Sequence, residues 1–414
     1  MNKYRKDFPF FKAIDEHSSK ENEQLVYFDT SATAQRPFLV LDAMKHFYAT
    51  ANANPLRGLY DLSERATQAY EHSRDTIAQF INAKESCQII FTRNASESLN
   101  LIAYTYGMAN INAGDEIVIT GMEHHSNMLP WRMVCEAKGA KIVYLECDKE
   151  SGIIPDSEYQ TKITNKTKIV AMTHVSNVLG TENPVKKVAA MAHKVGAIMV
   201  VDAAQSVPHM KVDVQDLDCD FLAFSAHKLC GPTSSGVMYG KKQLLDKMDP
   251  LLLGGDSNAR FYSDGSYVLK NPPYKFEAGT QNIEATIAMG AAINYLMDLK
   301  MENIMEYEHY LKSYLVEKMK KLDNIIMYNS QTDSGIVSFN VKSIFAQDVT
   351  SYLAKHNICL RSGNHCAKLL VNYLNSSATV RASLYFYNTV EEIDRFIEVL
   401  SSITLEKCID SALF

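Results

Sequence analysis

Short apolar runs recur along the chain, each closed by polar or small residues. Gln88-Ile-Ile-Phe-Thr92, Asp115-Glu-Ile-Val-Ile-Thr120, Lys141-Ile-Val-Tyr-Leu145, Lys168-Ile-Val-Ala-Met-Thr173, Ala197-Ile-Met-Val-Val201 and Phe221-Leu-Ala-Phe224 carry this pattern. Runs of this length, rich in β-branched residues, predict strands buried on both faces. Helical stretches separate them, at about 38 to 51, 63 to 81, 96 to 108 and 185 to 195. Strand and helix in alternation predict an α/β fold on a doubly wound, mostly parallel sheet. Leu25-Val-Tyr-Phe28 predicts a first strand ahead of the series.

The pattern changes after residue 250. Gly254 to Phe276 is rich in Gly, Ser, Asn, Tyr and Pro, which predicts an extended hairpin or excursion. A long helix at about 283 to 298 bridges to a smaller C-terminal α+β domain. Helices at about 303 to 321 and 390 to 404 and strands near Ile336 to Val341 and Ile358 to Arg361 are expected there. The expected division is an arm over 1–24, anchored by Phe8-Pro-Phe-Phe11 and packed on the small domain, a large domain over 25–293, and the small domain over 294–414.

Composition narrows the class. Of 414 residues, 46% are hydrophobic and 22% charged, the balance of a soluble globular enzyme with a large core. The net charge of −6 gives no electrostatic case for nucleic acid or an anionic membrane surface. No long uncharged apolar run predicts a membrane span, and Met1 to Asp7 lacks the apolar segment of a secretory signal. The 8 cysteines form no Cys-x-x-Cys pair, which suits reduced thiols in a cytoplasm.

Candidate chemistry sits at the ends of the apolar runs. Phe221 to Phe224 delivers Ser225-Ala-His-Lys228, where a desolvated lysine can become a nucleophile toward a carbonyl. Ala197 to Val201 delivers Asp202, with Gln205 close behind. A buried aspartate needs a cationic or donor partner, such as a helix cap, an arginine or a protonated pyridine nitrogen. A Schiff-base lysine with an aspartate opposite the pyridinium is what pyridoxal phosphate demands, and Lys228 with Asp202 matches it. Glu123-His-His-Ser-Asn127 follows another strand. No third ligand stands at a metal-like spacing, so no metal site is expected, and a flat imidazole stacked on a flat cofactor ring is the better role. Asn94 and Ser96 open a helix whose first turn suits a phosphate. Cys366 follows Arg361-Ser-Gly-Asn-His365, an exposed turn with basic neighbours that favour thiolate. Arg381 has the two-pronged geometry of a carboxylate clamp.

With these residues in place, the chain resembles the SufS-like cysteine desulfurases of the class-V aminotransferase group, essentially end to end. The resemblance is carried by Glu123 to Asn127, His174 to Pro184, Asp202-Ala-Ala-Gln205, Ser225 to Lys228, Glu277-Ala-Gly-Thr280 and Arg361 to Ala367. The short segment from Cys366 to Arg381 is similar to the SufS type rather than the type with a longer cysteine loop. The resemblance implies a fold type I pyridoxal phosphate enzyme and a homodimer, with Lys228 bonded to the cofactor and His124 over its ring. Asp202 would hold the ring nitrogen and Gln205 the phenolic oxygen. Ser96, Ser225 and His227 would hold the phosphate, with Thr280 of the other subunit. Asn177 and Arg381, with Arg361 nearby, would bind the carboxylate of L-cysteine, and Cys366 would take its sulfur for iron–sulfur cluster assembly.

Three positions depart from the family pattern. Asn94-Ala95-Ser96 stands where Gly-Thr-Thr is usual, and Leu56 precedes Arg57-Gly58 where histidine is common. Gln347 precedes Asp348-Val349 where members served by a zinc-containing SufU-type acceptor tend to have histidine, so a SufE-like acceptor is expected. Rival functions are a selenocysteine lyase or cysteine sulfinate desulfinase of the same fold and, more remotely, an inactive homologue acting as a binding subunit.

Overall fold

The computed structural model describes residues 2–12, 25–56 and 58–412; residues 13–24 of the expected arm, and Arg57, lie outside the described residues. The strands are, in chain order, β1 (Val26–Tyr27), β2 (Ile89–Thr92), β3 (Glu116–Thr120), β4 (Lys141–Leu145), β5 (Thr167–Thr173), β6 (Ile198–Asp202), β7 (Phe221–Ser225) and β8 (Gly236–Gly240). There follow β9 (Asn258–Phe261), β10 (Tyr267–Leu269), β11 (Ile325–Met327), β12 (Ile336–Val341), β13 (Ile358–Cys359), β14 (Arg361–Gly363) and β15 (Thr379–Ser383).

A seven-stranded sheet in the order β2-β8-β7-β6-β5-β3-β4 forms the centre. All its pairings are parallel except those of β8, which runs antiparallel to β2 and β7. The fold is thus the doubly wound α/β type that the apolar runs predict. The period of two sends alternate side chains to opposite faces. Val118, Val170, Met199, Val201, Leu222 and Phe224 enter one core, and Ile117, Ile119, Ile169, Ala171, Val200 and Phe221 enter another. The inner strands β3, β5, β6 and β7 are covered on both faces, while the edge strand β4 is only half-buried, and this double cover explains why the runs show no polar alternation.

A second sheet, antiparallel in the order β11-β12-β15-β14, packs on helices Met301–Met319, Ala346–Lys355 and Val390–Ser401 around a third core. The first strand belongs here: β1 pairs in parallel with β13, and Val26 and Phe28 are buried in that core. β9 and β10 form the expected hairpin. Phe8 and Phe11 are fully buried, and both rings pack on Tyr387. Helix Ile283–Leu299 is apolar nearly all round, since it buries Ala285, Ala288, Met289, Ala292 and Ile293 against its neighbours. No helix among the described residues is long and apolar enough to cross a membrane.

Candidate active site

The parallel strands β3, β5, β6 and β7 end on one edge of the central sheet, where open α/β sheets bind ligands. β3 leads to His124, β5 to Asn177, β6 ends in Asp202, and β7 ends in Ser225 with His227 and Lys228 in the next turn. The second sheet faces them with β14, β15 and the turn that carries Cys366. One cavity of about 690 Å³ collects Ser96, His124, Asn177, Asp202, Gln205, Ser225, His227, Lys228, Arg361, Cys366 and Arg381. Thr280 is apart from them, on the wall of a separate cavity with Arg93, Glu97 and Leu252.

Electrostatics follow from depth. The Lys228 amine faces the cavity but is surrounded by protein, and burial lowers its pKa to about 8. Asp202 opposes that shift and Arg381 adds to it. Asp202 itself is raised by burial, against an N–H from Ala204 at 3.0 Å and the charge of Lys228. His124 falls to about 4 through burial, helped by Lys228, His125 and Arg381, so its imidazole is neutral near pH 7. Behind it, Glu123 is fully buried and accepts from Thr120, Thr173 and Asn127, which fixes the loop.

The two arginines stand directly opposite one another across β14 and β15. Like charges so placed repel. Asp29 lies between them: it accepts from Arg361 at 2.8 Å and from Arg381 at 3.4 Å. Arg381 also donates to the Asn177 carbonyl at 2.9 Å, so its guanidinium is aimed before any substrate arrives. Asp29 follows an apolar run like the other site residues, but nothing in the chain announces that it faces Arg361 across 332 residues.

Helix Ala95–Ile102 points its first turn at the same cavity, with Asn94 accepting from the Glu97 N–H at 2.9 Å. The departure from Gly-Thr-Thr therefore keeps a capped helix start. Ser225 accepts from the Ala95 N–H at 2.8 Å, and Ser96 bonds Ser126 at 2.5 Å. Gly236 lets this turn close on β8, because a Cβ there would lie 2.6 Å from the Asn94 Cα. Ser126, which also bonds His124 Nδ1 at 3.0 Å, is a cavity residue that the strand pattern did not single out.

Residues 26–396 match the model of the aminotransferase class-V family. The chain belongs to the class-V aminotransferase family. Among its relatives is a probable cysteine desulfurase of Halalkalibacterium halodurans, 47% identical over 370 residues, covering 89% of this chain and 91% of that one. Among solved structures, the apo cysteine desulfurase of Thermococcus onnurineus superposes with a TM-score of 0.90 at 40% identity, covering 96% of each chain. The cysteine desulfurase CsdA of Escherichia coli, solved as an S-sulfonic acid, gives 0.88 at 33% identity and covers 98% of each. The class-V likeness thus spans both sheets, and with them every element that reaches the cavity.

Proposed function

We propose that this class-V family member is a pyridoxal-phosphate-dependent cysteine desulfurase that converts L-cysteine to L-alanine and holds the released sulfur as a persulfide on Cys366. The observation that carries the proposal is the single cavity shared by the Lys228 amine, the Asp202 carboxylate and the exposed Cys366 thiol. The names of the relatives point the same way.

The residues present fit the cofactor. Gln205 Oε1 and Arg381 Nε are buried in the cavity wall without hydrogen-bond partners, so the wall holds polar groups that the chain alone does not satisfy. Lys228 would bond the cofactor's carbonyl carbon, Asp202 its ring nitrogen and Gln205 its phenolic oxygen. His124 would cover the ring, and Ser96, Ser225 and His227 would take the phosphate. When bound, pyridoxal phosphate supplies an electrophilic carbon and an electron-poor ring that takes up negative charge from the substrate Cα.

The chain's own residues do the rest. Arg381 and Asn177, with Arg361 at the rim, bind the substrate carboxylate. Lys228, whose burial keeps a fraction of its amine neutral near pH 7, moves the proton at Cα. The Cys366 thiolate attacks the substrate sulfur, the Cβ–S bond breaks, and the Cys366 side chain gains one sulfur. His124, neutral near pH 7, can take up a proton and then hand it on, serving as proton acceptor or donor in the later steps. The working unit is a homodimer in which the partner subunit's Thr280 completes the phosphate site. Thr280's position outside its own chain's cavity supports this, as do the consecutive exposed side chains of Leu251, Leu252 and Leu253 beside it. The sulfur passes to a SufE-like acceptor in the cytoplasm and on to iron–sulfur cluster assembly.

The test is incubation of purified enzyme with L-cysteine and dithiothreitol, with L-selenocysteine and L-cysteine sulfinate in parallel. Equal yields of alanine and sulfide from L-cysteine are expected. Alanine from selenocysteine or the sulfinate alone would overturn the substrate assignment.

A further inference from the structure

The helix after Cys366, Lys368–Tyr373, starts without a cap of its own. Its N-cap is Ala367, whose side chain has nothing to accept with, and the first N–H groups of any helix lack partners within it. The acceptor comes instead from the central sheet. His125 Nε2 receives the Lys368 N–H at 3.3 Å, and the His125 N–H donates to the Cys366 carbonyl at 2.7 Å. One residue therefore grips the chain at two points just after the thiol-bearing Cα, the Cys366 carbonyl and the Lys368 N–H. Because Nε2 accepts, the ring proton is on Nδ1.

The turn needs such a grip. His365 and Cys366 have φ of 50° and 53°, two adjacent non-glycine residues in the left-handed region. Each costs roughly 1–3 kcal/mol and persists only where surrounding contacts over-determine it. Asn177 Nδ2 donates to the His365 carbonyl at 2.8 Å, and His365 Nε2 meets Thr379 Oγ1 at 3.0 Å. These bonds fix the residue before the thiol. Among the described residues, His125 supplies the bond to the Cys366 carbonyl and the acceptor for the first N–H of the helix behind it, whose far end is held by the Tyr373 hydroxyl on the Cys147 carbonyl at 2.7 Å and by buried Leu370 and Val371.

We infer that His125 is a positioning residue, which holds Cys366 over the cavity by capping the following helix across the boundary between the two sheets. Its ring lines the cavity, and its bonds to the cysteine turn run to the backbone rather than to the thiol. The inference rests on the sulfur-acceptor role of Cys366 only for its kinetic consequence; the cap itself is independent of it.

Two variants separate the cap from the imidazole. His125→Phe keeps a flat ring and removes the acceptor, while His125→Gln places an amide oxygen near the position of Nε2. A neutral hydrogen bond is worth roughly two- to tenfold in an equilibrium. In the holoenzyme, the Lys368 amide should exchange with deuterium about fivefold faster in His125→Phe and at the native rate in His125→Gln. The kcat for alanine formation should fall about fivefold in His125→Phe, with KM for L-cysteine within about twofold of native, and His125→Gln should recover it. Unchanged Lys368 exchange in His125→Phe would overturn the inference. So would a His125→Gln variant as impaired as His125→Phe. If the native enzyme forms no alanine from cysteine, the proposed function fails, while the exchange measurement still decides the cap.

Discussion

Replacing Asp202 by asparagine isolates the field that Lys228 feels. The asparagine keeps the side chain's shape and its acceptor for the Ala204 N–H at 3.0 Å, and removes only the charge. In the native chain burial brings the lysine from 10.5 to about 8, with Asp202 resisting the fall. At pH 7 roughly a tenth of the amine is then neutral. An opposite charge in the same site shifts a titration by roughly one to three units. These two side chains form no ion pair, so the lower end applies, and Asp202→Asn should bring the midpoint down by about one unit. The neutral fraction at pH 7 would rise about fivefold. The assay is acetic anhydride labelling of the cofactor-free protein across pH, with the extent at Lys228 read by mass spectrometry. A native midpoint near 8 and a lower one in the variant are expected. A native midpoint above 10, or a rise on removing Asp202, would refute the reasoning. The same shift has a stability consequence. The unfolded chain holds this proton up to about 10.5 and the folded chain only to about 8. Folding therefore expels a proton within that window, and the cofactor-free protein should gain stability as pH rises through it. The gain is at most about 3 kcal/mol, because cavity water already screens part of the burial.

Arg381→Lys keeps the charge but loses the second prong and the aim set by Asn177, so KM for L-cysteine should rise about tenfold or more in steady-state assays; an unchanged KM would remove Arg381 from the substrate site. Gly236→Ala places a Cβ against the Asn94 backbone and should cost about 1–3 kcal/mol in denaturant unfolding and weaken cofactor retention in dialysis. Native stability in that variant would mean the turn at Asn94 can move. Asp29→Asn leaves two facing arginines without their shared anion and should weaken substrate binding in the same sense as Arg381→Lys, read by KM.

The central sheet was legible because burial on both faces leaves its mark as unbroken apolar runs. Asp202, Ser225 and Lys228 could be placed by the same logic, since each closes such a run at the ligand-binding edge. β8 was missed: Gly236-Val-Met-Tyr-Gly240 is short, bracketed by glycines, and enters the sheet antiparallel. β1 could be seen as a strand, but its pairing with β13 over more than 300 residues leaves no local trace. Helix Leu129–Lys138 was hidden by Pro130, which a first turn tolerates. Helix Ala346–Lys355 was also missed, although its buried Val349, Tyr352 and Leu353 keep helical spacing. The final helix expected at about 390 to 404 is Val390–Ser401, and a further helix, Leu405–Ala412, follows it unannounced. Asp29, Ser126 and His125 act through contacts between distant segments, and only the folded arrangement shows what they face.

The central claim is that sulfur from the substrate arrives on one named side chain. Enzyme treated with L-[34S]cysteine and then blocked with an alkylating agent should yield a Cys366 peptide carrying one extra heavy sulfur, with alanine formed in equal amount. Cys366→Ala should bind pyridoxal phosphate normally and form no alanine. Heavy sulfur on another cysteine, or full alanine yield from Cys366→Ala, would contradict the account.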